Sequence, residues 1–288
     1  MPKIFALKTM GVALGLGVSA SMALASPYDT NPAFTSNVFL ANDDGTYPAN
    51  GLGAGTPPGT PVAQSLGFTF NFFGTNYTSA FINNNGNVTF NAPLSTFTPF
   101  GLTTSIGTPI VAPFFGDVDT RVGNLATWGT AVEGGHNVFG VDWPGVGYYS
   151  ENIDKLNTFQ LLLVDRSDIA AGDADIYFNY GSIQWETGDA SGGSGGLGGS
   201  CAVAGYSNGT GNPGTFGQIA GSGVCGSLID GGANALASST NDGVTGQFLF
   251  QVRSGEVINP PGVPEPATLG LIGLGLAGLG FLRRRRAA

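Results

Sequence analysis

Residues 66–90 read LGFTFNFFGTNYTSAFINNNGNVTF and carry the clearest structural signal of the chain. Apolar and polar residues alternate at the start, so that Phe68, Phe70 and Phe72 fall on one face, as half-buried strands require. Later in the stretch, the Asn85-Gly86 pair separates two further strand-like runs. Such a pair is typical of a type I′ turn, which needs positive φ at both central residues. The stretch therefore predicts antiparallel strands joined by a tight hairpin.

Strand-like runs recur along the rest of the chain. We predict strands at 66–73, 79–83, 87–90, 109–115, 137–143, 147–150, 158–165, 175–180, 201–206 and 247–252. Between residues 26 and 263, Gly or Pro interrupts any 3.6-residue period within about ten residues, so few helices are expected. The predicted fold class is all-β, mainly an antiparallel β-sandwich with few short helices.

The composition excludes several classes of protein. Only 10% of the 288 residues are charged, far below the roughly 25% of an ordinary soluble domain, while 42% are hydrophobic, which is enough to build a core. Between residues 26 and 263 there are four basic residues against 18 acidic ones, a formal charge of −14. A phosphate backbone would be repelled by this charge, so nucleic acid is not an expected partner.

The first 25 residues have the three parts of a secretory signal peptide. Lys3 and Lys8 form a basic start, residues 10–20 are apolar and small, and Ala23-Leu24-Ala25 matches the A-x-A cleavage pattern. Cleavage between Ala25 and Ser26 would expose the mature chain to an oxidising compartment. The alternative is an uncleaved membrane anchor, for which the apolar run is short.

The C-terminus carries a second three-part signal. It consists of Pro264, Glu265 and Pro266, an apolar run at 267–282, and four arginines, Arg283, Arg284, Arg285 and Arg286. The apolar run reaches about 24 Å as a helix, against a hydrocarbon core of about 30 Å, so it predicts a short C-terminal transmembrane helix. The arginines favour a cytoplasmic end, which leaves the preceding residues on the outer side of the membrane.

This arrangement resembles the PEP-CTERM sorting signal of Gram-negative bacteria. The resemblance implies recognition by an exosortase, transient anchoring in the inner membrane, removal of the tail, and delivery to the cell surface or the exopolysaccharide matrix. A permanent single-span anchor is the alternative. We divide the chain into a signal peptide (1–25), one β domain (26–255), a linker (256–263) and the sorting signal (264–288).

The predicted strands also carry a second resemblance. Five blocks between residues 65 and 210 occur in the order found in nidogen-like (NIDO) extracellular domains. The blocks are 67–90, the Ala-Pro-aromatic and Asp-x-Asp run IVAPFFGDVDTR at 110–121, 141–149, 157–161 and 178–188. The resemblance implies a non-catalytic domain that acts in cell-matrix adhesion or matrix organisation, with extracellular matrix or exopolysaccharide as partner. It provides no catalytic residues.

An enzyme is the less favoured class. Residues 192–196 match the G-x-S-x-G nucleophile elbow around Ser194, but more Gly follows where a helix is needed, and the one histidine, His136, precedes the serine instead of following it. A flexible loop is the simpler interpretation of this Gly- and Ser-rich segment, 191–200. One histidine and two cysteines are too few for an ordinary zinc site, so no cofactor is expected apart from a possible Ca²⁺.

Calcium is considered because the domain is acidic and hard cations prefer oxygen ligands. Alternate residues of a strand point the same way, so Asp117 and Asp119 could form a paired carboxylate site or could jointly hold Arg121. Further candidate oxygens lie at Asp173, at Asp175 and in the turn 42–45. The alternatives to a metal site are solvated turns or caps, an arginine clamp, and contacts with a partner.

Cys201 and Cys225 are the only cysteines of the chain. The exported context predicts a disulfide between them. The aromatic residues at strand spacing are expected to be mostly core, and of the adjacent Tyr148 and Tyr149 only one can face inward. An exposed aromatic beside amides could stack on sugar rings, which makes an exopolysaccharide-binding module the alternative function.

Overall fold

Residues 27–48 and 60–258, which the computed structural model describes, form fourteen strands. In chain order the strands are β1 (Asn37–Val38), β2 (Gln64–Phe72), β3 (Thr75–Asn83), β4 (Asn87–Thr89), β5 (Ile110–Phe115), β6 (Val118–Asp119), β7 (Thr127–Glu133), β8 (His136–Tyr148), β9 (Asn152–Asp165), β10 (Ala174–Ser182), β11 (Val203–Ser207), β12 (Phe216–Gln218), β13 (Gln247–Arg253) and β14 (Glu256–Ile258). Two short 3₁₀ helices, Pro32–Thr35 and Asp189–Ser191, complete the regular structure of these residues.

Several predictions concern residues that lie outside this description. They are the signal peptide with its cleavage site at Ala25 and Ser26, and the sorting signal with its apolar run and arginines. Among the residues that are described, no helix has the length and apolar character needed to cross a membrane.

The strands form two antiparallel sheets. One has eight strands, in the order β1-β7-β8-β9-β10-β13-β14 with β6 beside β8, and the other has six, in the order β12-β11-β5-β4-β3-β2. Their facing sides share one apolar core, in which Trp143 stacks on Phe159 with ring centroids 4.8 Å apart and Phe114 packs 5.3 Å from Phe159. The all-β antiparallel class is confirmed, and the two sheets fit the predicted sandwich.

Strand β5 has six consecutive buried residues because both of its faces are covered. Val111 and Phe114 point into the shared core, whereas Ile110 and Phe115 belong to a second apolar cluster with Leu102. A strand covered on both sides loses the apolar-polar alternation and becomes continuously hydrophobic.

The predicted β3–β4 hairpin exists, but the type I′ turn occurs in the preceding hairpin, β2–β3. β3 and β4 pair through Asn83 and Asn87, and of the intervening residues Gly86 has positive φ (73°) whereas Asn85 does not, so this turn is not type I′. The preceding hairpin, β2–β3, has positive φ at both Phe73 (50°) and Gly74 (83°) between paired strand ends, which is the I′ pattern. Phe73 tolerates this backbone because its ring packs on Phe72 and Tyr206.

The structure extends the domain beyond the predicted boundary. β14 occupies the first three residues of the predicted linker, where Val257 pairs with Val252 of β13 across a turn at Ser254 and Gly255. The predicted strands 137–143 and 147–150 are one strand, β8, with irregular pairing near Pro144. The folded domain therefore reaches Ile258.

A row of polar side chains crosses the outer face of the larger sheet, and we name Asp142, Gln160, Asn179 and Gln247 the polar row. Each side-chain amide donates to its neighbour in the row at 2.8 Å, so that the bonds run from β13 through β10 and β9 to the Asp142 carboxylate on β8. Gln160 also exchanges two hydrogen bonds with the backbone of Asp29. The row is therefore covered by the N-terminal segment and fixes it to the sheet.

Candidate functional site

Three carboxylates from distant parts of the chain meet at one end of the sandwich. Asp43 and Asp44 lie in the connection between β1 and β2, and Asp117 lies in the bend between β5 and β6. One oxygen of each carboxylate lies within 4.8 Å of the other two. We name these three residues the acidic cluster.

Backbone pairing brings the two parts of the acidic cluster together. Asp43 forms an isolated antiparallel bridge with Asp119, and Thr46 forms another with Asn83 at the end of β3. Asn85, in the β3–β4 turn, accepts a hydrogen bond from the Val118 amide at 2.9 Å and donates one to Asp44 at 2.7 Å. The turn of the predicted β3–β4 hairpin is therefore hydrogen-bonded to both parts of the acidic cluster.

Asp117 is the most unusual member of the acidic cluster. Its side chain is fully buried, and neither carboxylate oxygen has a hydrogen-bond partner among the residues that the structure describes. A Cβ on Gly188 would collide with the Oδ2 atom of Asp117, so glycine leaves the space beside this carboxylate. Burial, followed by the negative charges of Asp44 and Asp43, raises the pKa of Asp117 to about 8.

Asp43 and Asp44 are each partly satisfied. The Oδ2 atom of Asp43 is 3.0 Å from a guanidinium nitrogen of Arg121, but its Oδ1 atom is buried without a partner in the described part of the chain. Burial, then the charge of Asp44, raises the pKa of Asp43 to about 7. Burial also raises the pKa of Asp44, whose Oδ1 atom accepts the hydrogen bond from Asn85.

The structure gives different surroundings to the two aspartates that were predicted as a pair. Asp119 is in β6, but Asp117 precedes that strand, so the alternation argument does not apply to it. The Asp119 carboxylate accepts hydrogen bonds from the Arg121 side chain and from the Glu151 amide at 2.9 Å. Asp119 thus forms an arginine clamp with Asp43, while Asp117 takes no part in it.

The other predicted carboxylate candidates have structural roles. Asp175 forms ion pairs with Arg166 at 2.8 Å and with Arg253 at 2.6 Å, and it joins the two arginines across β10. Asp173 accepts a hydrogen bond from the Ser254 amide at 2.8 Å, in the turn before β14. Because these carboxylates already have partners, they offer no ready metal site.

A disulfide joins Cys201 to Cys225, with their Cα atoms 5.3 Å apart. The buried Glu186 carboxylate lies beside it and accepts hydrogen bonds from the Gly226 amide at 2.7 and 2.9 Å. Glu186 is close enough to both sulfurs to suggest a ligand set, but disulfide sulfurs are not thiolates and bind no metal in this way. The Glu186 carboxylate instead fixes Gly226, the residue after Cys225, through these hydrogen bonds.

Ser194, whose surroundings match the nucleophile-elbow pattern only in sequence, is not arranged as a hydrolase elbow. Ser194 pairs with Leu197 in a tight turn, and turn and bend residues follow it up to Cys201. An elbow needs a strand before the serine and a helix after it. The segment is ordered by its contacts, since the Thr187 hydroxyl donates to the Ser200 carbonyl at 3.0 Å.

A groove of about 420 Å³ is lined by residues of β11 and β12 in the smaller sheet and of β13 in the larger sheet, and we name it the aromatic groove. Aromatic rings and amide side chains line it together, among them Tyr206, Phe248, Phe250, Gln218, Asn234 and Asn241. Tyr206 and Phe250 meet edge to face, 5.1 Å between centroids. Of the tyrosines considered from the sequence, Tyr148 is buried with its hydroxyl 2.7 Å from Asp154, and Tyr149 is half-buried.

Comparison with known proteins gives two family matches. Residues 78–131 and 127–254 match the nidogen-like domain family, and residues 262–286 match the PEP-CTERM protein-sorting motif. The two matches follow one another along the chain without overlap. No solved structure is significantly similar to the chain.

Curated relatives agree with the first match. Alpha-tectorin of Gallus gallus is 30% identical over 248 residues, which cover 75% of this chain and 10% of the relative. Alpha-tectorin of Homo sapiens is 32% identical over 222 residues (66% and 9%), and nidogen of Drosophila melanogaster is 28% identical over 219 residues (66% and 15%). The chain thus spans only about a tenth of the length of the tectorins it matches.

Proposed function

We propose, from the premise that this chain belongs to the nidogen-like domain family, that it acts in cell-matrix adhesion or in the organisation of a biofilm matrix, without catalysing a reaction. The observation that carries the proposal is the succession of a nidogen-like domain and a PEP-CTERM motif in one chain. The family match and the motif identify an exported or extracellular protein. Adhesion is the finer step that we propose for it.

The proposed route to the surface begins at the inner membrane of a Gram-negative bacterium. Exosortase would recognise Pro264, Glu265 and Pro266 and remove the tail, after transient anchoring through the apolar run. The described part of the domain reaches Ile258, and the motif match begins four residues later, at residue 262. Eight residues, 259–266, precede the apolar run, and fully extended they would span at most roughly 28 Å, which would keep the domain near the membrane until release.

The features of the domain suit a protein that works outside the cell. The disulfide needs an oxidising compartment and closes a loop around the Gly-rich segment 205–224. The formal charge of −14 between residues 26 and 263 keeps the chain soluble and favours basic or neutral matrix components over nucleic acid. These properties support an extracellular binding role.

Deleting the gene in its native host and restoring it tests the proposal. We expect the deletion strain to form a less cohesive biofilm and to adhere less, and the full chain to restore both. A chain with Arg283, Arg284, Arg285 and Arg286 changed to alanine should restore neither, because sorting fails. Unchanged adhesion and cohesion in the deletion strain would remove the adhesion proposal, and mass spectrometry of the surface fraction would report the trimmed C-terminus independently.

Exopolysaccharide binding is the second candidate, and the aromatic groove favours it. Carbohydrate sites combine aromatic rings with amide hydrogen-bonding groups, and in this groove Tyr206, Phe248 and Phe250, each 7% exposed, lie beside amide side chains. Ser239→Phe would place a ring in the groove, whereas Ser238→Phe adds the same ring one residue away, outside the lining. If the groove binds sugar, pull-down on the cell's own polysaccharide is lost in the first variant only; equal retention by both variants would exclude the groove.

A further inference from the structure

We infer that the acidic cluster of Asp43, Asp44 and Asp117 is a calcium site. This inference goes beyond adhesion and does not depend on it. It rests on a buried carboxylate that has no hydrogen-bond partner in the described part of the chain, on the spacing of the oxygens and on the negative charge around them.

The first argument is the state of Asp117. A buried carboxylate is normally paired, hydrogen-bonded or bound to a metal, because an isolated charge in a protein interior is costly. Asp117 is fully buried, and both of its oxygens lack a partner among the described residues. The Oδ1 atom of Asp43 is in the same condition. Two of the three carboxylates in the acidic cluster therefore have acceptors that the described residues leave unused.

The second argument is the spacing of the oxygens. Ca²⁺ binds oxygens at about 2.3–2.6 Å, so two ligands on opposite sides of the ion can be up to roughly 5 Å apart. The three carboxylates place one oxygen each within 4.8 Å of the others. The cluster contains only oxygen donors, which favours a hard cation over zinc or copper. Mg²⁺ binds at about 2.0–2.1 Å and keeps several waters, so it fits this arrangement less well.

The third argument is charge. Arg121 is the cation beside the cluster, and its guanidinium is shared by Asp43, Asp119 and, at 3.8 Å, Glu151. It therefore cannot neutralise Asp44 and Asp117 as well. A divalent ion would supply the missing positive charge.

Thermal unfolding of the exported chain with CaCl₂ and with chelator tests the site. Extracellular calcium modules have dissociation constants of about 10⁻⁴–10⁻³ M, so 10 mM Ca²⁺ should raise the unfolding midpoint by about 3–6 °C over chelator. The same concentration of Mg²⁺ should raise it less. Asp117→Asn should abolish the Ca²⁺ effect, whereas Glu256→Gln, which removes one exposed charge on the edge strand β14, should preserve it.

Direct binding provides the second measurement. Trp185 packs against Gly116, the neighbour of Asp117, so Tb³⁺ bound in the cluster should show tryptophan-sensitised luminescence that excess Ca²⁺ displaces. If Asp117→Asn does not fold, the half-buried Asp44→Asn replaces it with the same expected losses. Equal Ca²⁺ shifts in the cluster and control variants would indicate general charge screening and overturn the site, as would identical midpoints with Ca²⁺ and chelator in the unmodified chain.

Discussion

The Asp142 carboxyl at the end of the polar row should make the stability of the domain depend on pH. Asp142 is 4% exposed and accepts a hydrogen bond from Gln160 at 2.8 Å. Burial raises its pKa to about 7; the Gln160 hydrogen bond opposes this shift, and the nearby charge of Asp29 adds to it. We predict that Asp142→Asn removes this part of the pH dependence while preserving the row.

The sign and size follow from linkage. A carboxyl whose folded pKa is raised binds its proton more tightly in the folded state than in the unfolded state. The stability it contributes is fully present below about pH 4 and is lost as pH rises through about 7. A shift of about three pKa units corresponds to at most about 4 kcal/mol. Asparagine can accept the same hydrogen bond but carries no charge at any of these pH values.

Urea unfolding at pH 4, 7 and 9, in the presence of chelator, checks this prediction. The two proteins should be equally stable within about 1 kcal/mol at pH 4, and Asp142→Asn should be more stable by about 2–4 kcal/mol at pH 9. The difference isolates Asp142, because Asp43 and Asp117 contribute equally to both curves. The free energy of unfolding of Glu256→Gln should change with pH in the same way as that of the unmodified chain. A difference between the Asp142→Asn and unmodified chains that stays constant from pH 4 to pH 9 would refute the reasoning.

Three further predictions concern stability and are checked by urea or thermal unfolding. Reducing the Cys201–Cys225 disulfide should cost about 3 kcal/mol, and an unchanged midpoint after reduction would contradict the loop-closure account. Gly86→Ala should cost at least about 3 kcal/mol, because Gly86 has a φ of +73° and the new Cβ would collide with a backbone carbonyl. The control Gly74→Ala should cost only about 1–2 kcal/mol, because Gly74 has a φ of +83° but lies in open space. Trp143→Phe should cost about 2–4 kcal/mol, since it leaves a buried carbonyl acceptor without its 2.9 Å indole donor, and a loss below about 1 kcal/mol would show that the site repacks.

The sequence is most informative where one face of a strand is buried. The alternating phenylalanines of β2 and the apolar run of β5 both predict strands, and both strands exist. β7 is harder to find because it contains Gly129, where a side chain would collide with the Ala33 carbonyl of the first 3₁₀ helix. A close backbone approach between distant segments requires glycine, but a glycine weakens the strand signal when only the sequence is considered.

Turn chemistry has the same limitation. Asn85-Gly86 is a stronger type I′ signal than Phe73-Gly74, yet the positive φ pair occurs at the phenylalanine. The reason is tertiary: the Phe73 ring lies 4.7 Å from Phe72 and 6.2 Å from Tyr206, and these contacts offset the cost of its backbone. Asn85 is used instead for its side chain, which bonds to Asp44 and to the Val118 amide.

The two aspartates of the Asp-x-Asp run, Asp117 and Asp119, show why a site of this kind cannot be identified from the sequence alone. Both are acidic and fully buried, but the oxygens of Asp119 are occupied by Arg121 and the Glu151 amide, and those of Asp117 are not. What distinguishes a structural carboxylate from a candidate ligand is therefore which acceptors remain unused. The number of unused acceptors depends on the bend before β6 and on the loop of Asp43 and Asp44, more than seventy residues earlier. The spacing of residues in the Asp-x-Asp run does not encode this long-range contact. A metal at the cluster would use the acceptors that the arginine clamp leaves open, so clamp and metal site can coexist on the same run of sequence.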